Sequence, residues 1–123
     1  MSSDCIFCAV AVGRIPADVV AESSKVLAFR DINPAAPTHV LIIPKRHIVD
    51  SVADLTSDHA EILGEMFELA ADVARVEDLD EGWRLVSNVG PAAGQTVHHL
   101  HFHLLGGWST DTGAPRLPDE RGG

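Results

Sequence analysis

The sequence predicts an α+β fold in which an antiparallel sheet packs against one main amphipathic helix. Three observations support this prediction. Short strand-forming runs occur before and after the middle of the chain, a long middle stretch carries apolar residues at helical spacing, and turn-forming residues separate these segments. Strands on both sides of a single helix are typical of α+β domains, and a length of 123 residues indicates one domain.

The first half of the chain contains three predicted strands. Two short apolar runs, 19–22 and 26–29, flank a polar turn at 23–25 and predict a β-hairpin. A loop follows at 30–38, because this segment contains Asp, Asn and two prolines. The run 39–44 is apolar after its first histidine and rich in β-branched residues, so it predicts a central strand that its final proline ends.

The middle segment, about 57–77, predicts the helix. Apolar residues recur there at intervals of three and four, and Thr56 or Ser57 can cap its first turn. Residues 83–88 alternate again and predict another strand. The tail, 108–123, is rich in turn-forming residues, and we expect it to be loosely ordered.

The most informative stretch is 94–107, which holds four of the seven histidines. His99, His101 and His103 alternate with apolar residues, and this period of two predicts a strand with three imidazoles on one face and an apolar face for the core. A neutral imidazole can act as a metal ligand, a general base or a nucleophile. The pattern therefore indicates a functional site, and the residues alone leave its chemistry open.

Composition argues against several classes of partner. The net charge of −9 disfavours nucleic acid as the main partner, because such binding neutralises many phosphates with cations. A mononucleotide is still possible, since backbone N–H groups can hold its phosphate. The sequence has no apolar run of about 18 residues that would predict a membrane span, and its start does not resemble a secretory signal. We expect a cytoplasmic protein with reduced cysteines.

Cys5 and Cys8 form a Cys-x-x-Cys motif near the start of the chain. This motif is half of many zinc sites and also a redox motif. The redox interpretation needs a preceding strand and a following helix, and this pair lies almost at the terminus. The motif is weak evidence alone, because a zinc site needs two further ligands.

The pattern His-apolar-His-apolar-His-apolar-apolar over 99–105 resembles the signature of the histidine triad (HIT) family of nucleotide hydrolases and transferases. Gly-Gln-Thr at 94–96 and Gly-Gly at 106–107 are similar to its Hint branch, the nucleoside phosphoramidate hydrolases. The resemblance implies a HIT-like fold with a five-stranded antiparallel sheet in a single domain, 1–107, and a homodimer joined across a two-fold axis. The tail 108–123 departs from the shorter, Trp-Pro-Pro-like end of Hint proteins.

The resemblance also implies catalytic roles. His101 would attack the substrate phosphorus, and His103 would donate to the phosphate oxygens. Thr96 would place a hydroxyl near the leaving atom, where Hint proteins usually carry serine, and His39 would support the triad. The predicted catalytic residues are His39, Thr96, His99, His101 and His103.

The substrate would be a purine mononucleotide. Asp31 resembles the family's acid that accepts hydrogen bonds from ribose hydroxyls, although an aspartate in such a loop can equally cap a turn. Asn88 resembles the Hint asparagine near the phosphate or leaving group, and Ile6 lies where the base would bind. The predicted substrate-binding residues are Phe7, Asp31, Ile32, Asn88, Gly94, Gln95, Thr96, His101 and His103.

Many HIT proteins hold zinc with a cysteine pair, a histidine after a Pro-Lys-Arg-like segment and the first triad histidine. Cys5, Cys8, His47 and His99 occupy these positions. The resemblance therefore implies a closed, structural zinc site and no requirement for a catalytic metal.

These observations predict a hydrolase that cleaves purine nucleoside 5′-phosphoramidates, of the AMP-NH2 or AMP-lysine type, through a nucleotidyl-histidine intermediate on His101. One alternative is a dinucleoside polyphosphate (Ap4A-type) hydrolase or nucleotidyl transferase, which Gly-Gly at 106–107 disfavours. A second is a non-catalytic nucleotide-binding adaptor, and a third is a metal site on His99, His101 and His103.

Overall fold

A computed structural model describes residues 5–115 of the chain. Five strands form one sheet in the order β1-β2-β3-β5-β4, with every neighbouring pair antiparallel. The predicted fold, a five-stranded antiparallel sheet with one main helix, is confirmed. None of the described helices is long and apolar enough to span a bilayer. The elements are α1 (Ile6–Ala11), β1 (Val19–Glu22), β2 (Val26–Arg30), β3 (Thr38–Pro44), α2 (Ala60–Val76), β4 (Trp83–Val86) and β5 (Phe102–Gly106).

Both faces of the sheet are covered. In the central strand β3, Val40 and Ile42 belong to the core under α2, whereas Leu41 and Ile43 belong to a second core under α1. Because β3 is buried on both sides, it is a continuous apolar run rather than an alternating one. The apolar stripe of α2 fills the first core with Met66, Leu69, Ala70, Val73 and Ala74.

Helix α2 begins at Ala60, slightly later than predicted. Residues Ser57–His59 form a 3₁₀ turn in front of it. The Thr56 hydroxyl accepts a hydrogen bond from the Asp58 N–H at 3.2 Å, so of the two predicted capping residues it is Thr56 that acts as the cap. The His59 ring completes this cap by accepting from the Thr56 N–H at 2.9 Å.

The histidine-rich strand is shorter than predicted, because β5 begins only at Phe102. Its register pairs Ile42 with Phe102, which would set Pro44 opposite Leu100. Proline has no N–H to donate to a ladder, so pairing ends there. The Leu100 N–H donates instead to the carbonyl of Val49 at 3.0 Å. The first two histidines of the triad therefore precede the paired strand.

The predicted alternation of faces nevertheless persists through this segment. Its three apolar residues pack in the core under α2: Leu100, Phe102 and Leu104. The histidines lie on the opposite side, under α1. They are not an exposed row, since His99 is 0% and His101 is 6% exposed.

The sequence analysis did not predict helix α1. Cys5 is its N-cap, with Sγ accepting from the Cys8 N–H at 3.3 Å. Phe7 is buried in this helix and packs edge-on against Phe29 of β2, with ring centroids 5.7 Å apart. Helix α1 thus brings both cysteines and an aromatic ring to the histidine side of the sheet.

The described part of the tail, 108–115, turns back onto the end of the sheet. The Thr110 hydroxyl donates to Glu81 at 2.6 Å, and the Arg84 guanidinium lies 5.6 Å from the centre of the Trp108 ring. Gly107 has φ of +93°, which favours glycine. The rest of the tail that we expected to be loosely ordered, 116–123, lies outside the described residues.

Candidate active site

A cavity of about 250 Å³ opens between α1, the end of β2 and the histidine segment. Six of the predicted site residues line it: Phe7, Asp31, Ile32, Thr96, His101 and His103. Most of its other lining side chains are apolar, and sequence reasoning had singled out only the first of them: Ile6, Val10, Ile15, Pro16, Ala17, Phe29, Leu41 and Val97. The cavity therefore has an apolar wall with imidazoles and a carboxylate on its lining. Five other predicted catalytic or substrate-binding residues do not line it: His39, Asn88, Gly94, Gln95 and His99.

A backbone contact orients the His101 ring. Its Nδ1 lies 2.7 Å from the carbonyl oxygen of His99. A carbonyl can only accept, so Nδ1 carries the proton and Nε2 keeps the lone pair. The Phe7 and His103 rings pack edge-on against it, each with a centroid distance of 5.0 Å. Burial lowers the pKa of His101, which keeps the ring neutral near pH 7.

A chain of contacts sets the tautomer of His103. The Ala35 N–H donates to Nδ1 of His39 at 3.0 Å, so neutral His39 must carry its proton on Nε2. This Nε2 lies 2.9 Å from Nδ1 of His103 and 3.4 Å from a carboxylate oxygen of Asp31. Nδ1 of His103 therefore accepts, and Nε2 of His103 carries the proton.

The electrostatics agree with neutral rings. Burial, then the neighbouring His101 and His39, lower the pKa of His103 to about 4. Burial also lowers the pKa of His39, against the opposing effect of Asp31. We call His39, His101 and His103 the histidine cluster. In this cluster His101 has a lone pair on Nε2, and the neighbouring His103 has a proton on Nε2. The first nitrogen can act as a nucleophile toward an atom such as phosphorus, and the second can donate a hydrogen bond to the oxygens of that atom.

Asp31 has two observed contacts at the cavity wall. One carboxylate oxygen accepts from the Asn33 N–H at 2.8 Å, and the other lies 3.4 Å from His39 Nε2. The first contact is the turn cap that the sequence allowed. Ile32 also lines the cavity and is 91% exposed. Ribose binding by Asp31 stays a prediction.

The loop before the triad is held by its own hydrogen bonds. The Gln95 side chain is buried, accepts from the Gly90 N–H at 2.8 Å and donates to the Asp50 carbonyl at 2.8 Å. The N–H groups of Gly94 and Gln95 donate to the carbonyls of Pro91 and Gly90 at 3.0 and 3.1 Å. Phosphate binding through these two N–H groups would require the loop to exchange those bonds.

A second group of side chains lies at the N-terminal end of α1. The ligand atoms of Cys5, Cys8, His47 and His99 all lie within 4.8 Å of one another. The distances to Nδ1 atoms are 3.2 Å for Cys5–His99, 3.5 Å for Cys8–His99 and 3.8 Å for Cys8–His47. Sulfur–nitrogen edges of about 3.5 Å follow from tetrahedral zinc with bonds of about 2.3 and 2.0 Å. We call this group the cysteine–histidine cluster.

The remaining nitrogens of this cluster face acceptors. Nε2 of His47 lies 2.7 Å from a carboxylate oxygen of Asp50, and Nε2 of His99 lies 2.8 Å from the carbonyl of Pro44. Both Nε2 atoms therefore carry protons, and both Nδ1 atoms direct lone pairs toward the sulfurs. Two thiols and two such imidazoles fit a zinc ion.

Asp31, His39 and His103 also bring three ligand atoms within 4.8 Å of one another. Their hydrogen bonds oppose metal binding, because the Ala35 N–H on Nδ1 of His39 requires a proton on the inward-facing Nε2. Within residues 5–115, His99 converges with the cysteines rather than with His101 and His103. The three-histidine metal site considered from the sequence is therefore not formed.

Sequence reasoning missed three residues that orient these rings: Ala35, Pro44, which acts through its carbonyl, and Asp50. Asp50 lies three positions after His47, and this spacing was a usable signal. Ala35 acts only through its backbone N–H, so no side-chain pattern could reveal it.

Comparison with known proteins agrees with this geometry. The sequence matches the HIT domain family over residues 12–110. It is 43% identical over 108 residues to the purine nucleoside phosphoramidase of Escherichia coli (strain K12), covering 87% of this chain and 90% of that protein. It is 50% identical over 106 residues to the 14 kDa zinc-binding protein of Zea mays, covering 85% and 83%.

A solved structure gives the same result. The HIT family hydrolase from Clostridium thermocellum superposes with a TM-score of 0.85 at 43% identity, covering 94% of this chain and 97% of that one. The expected enzyme class, a hydrolase, agrees with the names of these relatives. The chain belongs to the HIT family.

Proposed function

We propose that this chain hydrolyses purine nucleoside 5′-phosphoramidates through a nucleotidyl-histidine intermediate on His101. The observation that carries the proposal is the pair of opposite tautomers on the cavity wall, with a lone pair on Nε2 of His101 and a proton on Nε2 of His103. The similarity to the E. coli purine nucleoside phosphoramidase supports the substrate class.

In the first step, Nε2 of His101 attacks the α-phosphorus and the P–N bond breaks. The amine leaves and takes up a proton from solvent, to which the later attack of water returns one, and the Thr96 hydroxyl would lie near the leaving atom. The His99 carbonyl keeps its hydrogen bond to Nδ1 and stabilises the positive charge that develops on the His101 ring. The N–H of His103 donates to the phosphate oxygens. Water then attacks the same phosphorus, releases the nucleotide and restores His101.

The apolar wall would hold the purine. Phe7 and Ile32 would contact the base, and Asp31 would accept hydrogen bonds from the ribose hydroxyls, with its carboxylate already on the cavity lining. Asn88, together with the loop at 94–95, would lie near the phosphate or leaving group.

The same proposal includes one zinc ion held by Cys5, Cys8, His47 and His99. The spacing of the four ligand atoms and the acceptors on both Nε2 atoms support it, as does the name of the Zea mays relative. With all four positions taken by protein, zinc would supply structural stability and no open coordination position for a substrate.

We include a homodimer in the proposal. Strand β4 is at the edge of the sheet, where backbone groups are available for pairing. Large apolar side chains on β4 and α2 are exposed, among them Trp83, Phe67 and Val76. Light scattering should give twice the chain mass, and a monomer at micromolar concentration would contradict it.

The test of the reaction is turnover of adenosine 5′-phosphoramidate by wild type and by His101→Ala. We expect AMP and ammonia from wild type only, AMP binding by both, and an adenylylated peptide containing His101 in wild type that is quenched with denaturant at alkaline pH, where the P–N bond is stable. Equal turnover by His101→Ala would overturn the mechanism. Faster cleavage of diadenosine tetraphosphate would favour the polyphosphate alternative, and tight AMP binding without turnover of either substrate would favour an adaptor.

A further inference from the structure

The cysteine–histidine cluster is joined to the candidate nucleotide site by two separate connections. The first is α1, which carries Cys5 and Cys8 and also Phe7, whose ring packs on His101 at 5.0 Å. The second is His99, whose Nδ1 faces the sulfurs while its carbonyl accepts from Nδ1 of His101 at 2.7 Å. Part of the cavity wall therefore lies on the same helix as a residue of this cluster, and the His101 ring is oriented by the backbone of another.

The four ligand atoms come from three distant parts of the chain. Cys5 and His99 are 94 positions apart, and Cys8 and His47 are 39 positions apart. A metal on these ligands would close long loops and fasten α1 to the segments that follow β3 and precede β5. A bond between Cys5 and Cys8 would close only a short loop inside one segment. The two states of the cysteines therefore differ in whether α1 is cross-linked to the sheet.

The cysteines are chemically suited to change state. Both are free, and Cys8 is only half-buried whereas Cys5 is buried. Thiolates, the form in which a metal holds cysteine, are the species that react with peroxides. A second thiolate nearby converts the first oxidation product to a disulfide.

Resting on the proposed function, we propose that the cysteine–histidine cluster is an oxidation-sensitive control of the nucleotide site. The Cys8 thiolate attacks hydrogen peroxide, an S–O bond forms, the O–O bond breaks and hydroxide leaves. The Cys5 thiolate then attacks the Cys8 sulfur, the S–S bond forms and a second hydroxide leaves. Two protons convert the hydroxides to water, two electrons pass from sulfur to peroxide, and the metal is released without changing its oxidation state.

Release removes the cross-link that joins α1 to His47 and His99. Phe7 on the cavity wall and the His101 ring are then no longer linked through the metal to His47. The cavity therefore binds nucleotide more weakly, and Nε2 of His101 is positioned less accurately for attack. Small displacements of reacting groups are costly, and we expect AMP affinity to fall about 10-fold and turnover about 100-fold.

The experiment treats zinc-loaded, full-length protein with hydrogen peroxide. Zinc release is followed with a chromogenic chelator, the Cys5–Cys8 disulfide by peptide mass spectrometry, and AMP affinity by calorimetry. We expect zinc release and disulfide formation to proceed together with the loss of AMP affinity. A dithiol with added zinc should restore the free thiols, the zinc content and the AMP affinity. Disulfide formation and zinc release with unchanged AMP affinity would overturn the inference.

Two variants provide controls. Cys8→Ser lacks one of the four ligands, so its AMP affinity should be weak from the start, and it cannot form the disulfide, so that affinity should not respond to peroxide. Val73→Ala removes buried volume under α2, on the opposite face of the sheet, and should lower stability while keeping the peroxide response. Loss of AMP affinity in peroxide-treated Cys8→Ser equal to that in wild type would overturn the inference. If reduced wild type neither binds AMP nor cleaves the phosphoramidate, the proposed function and the inference are both wrong. If AMP binding is unchanged after oxidation, only the inference is wrong.

Discussion

The histidine cluster and the cysteine–histidine cluster lie on the same side of the sheet and use the same side chain for different purposes. In the cysteine–histidine cluster, carboxylate and carbonyl oxygens accept hydrogen bonds from the Nε2–H groups of His47 and His99, so both Nδ1 atoms face the sulfurs with lone pairs. In the histidine cluster, the Ala35 N–H donates to Nδ1 of His39 and the His99 carbonyl accepts from Nδ1 of His101, so these two rings have opposite tautomers. The partner of the second nitrogen decides whether an imidazole suits a metal, an electrophile or a hydrogen-bond acceptor.

The strongest test of this comparison changes His99, which is a member of the cysteine–histidine cluster and contacts His101 of the histidine cluster through its carbonyl. His99→Ala should lose the bound zinc, lower turnover of adenosine 5′-phosphoramidate and reduce the free energy of unfolding by about 3–5 kcal/mol, because a fully buried ring is deleted. Zinc content, turnover and urea denaturation measure the three effects. His101→Ala is the control, since it should lose turnover and keep zinc. A His99→Ala protein with a full zinc content would show that the two clusters are not joined at this residue.

The next test breaks only the histidine cluster. His39→Leu removes the group that holds Nδ1 of His103, and we expect kcat/KM to fall about 100-fold with zinc content unchanged. His39→Gln can still accept from the Ala35 N–H and donate to His103, so it should retain more activity. Equal losses in the two variants would argue that packing rather than the tautomer matters at this position.

A smaller effect is expected on the other side of the comparison. Asp50→Ala removes the acceptor for Nε2 of His47 and should weaken zinc binding about 10-fold, as measured by competition with a chelator. With zinc in excess, turnover should stay near the wild-type value. Asp50→Asn retains an acceptor oxygen and serves as the matched control. A large loss of turnover at saturating zinc would contradict the assignment of Asp50 to the cysteine–histidine cluster alone.

The smallest effect is a pH dependence of stability that belongs to the histidine cluster. Burial, then the neighbouring histidines, lower the pKa of His103 from 6.5 to about 4. Below pH 6.5 His103 therefore binds a proton in the unfolded chain and stays neutral in the folded chain. Proton binding then favours the unfolded state, so the free energy of unfolding decreases as pH falls from 6.5 through about 4. Wild type should lose more unfolding free energy between pH 7 and pH 5 than His103→Gln. Parallel pH profiles for the two proteins would contradict a buried, neutral His103.

Local patterns in the sequence were enough for the hairpin, β3 and α2, because each shows its period within its own residues. Helix α1 was missed, since six residues are too few to show a helical period. The start of β5 was placed too early because it depends on Pro44, which lies on a different strand. The pairing of Cys5 with His99 across 94 positions came from family resemblance, and no spacing rule in the sequence would have supplied it.

Ala35 contributes to the histidine cluster through its main-chain N–H alone. Almost any amino acid could therefore occupy this position during evolution and leave the His39 tautomer intact. Proline is the exception, because it has no N–H, and Pro34 and Pro37 already lie close by in this loop. A change to proline here would remove the hydrogen bond that fixes the His39 tautomer, although the residue it replaces has no reactive side chain.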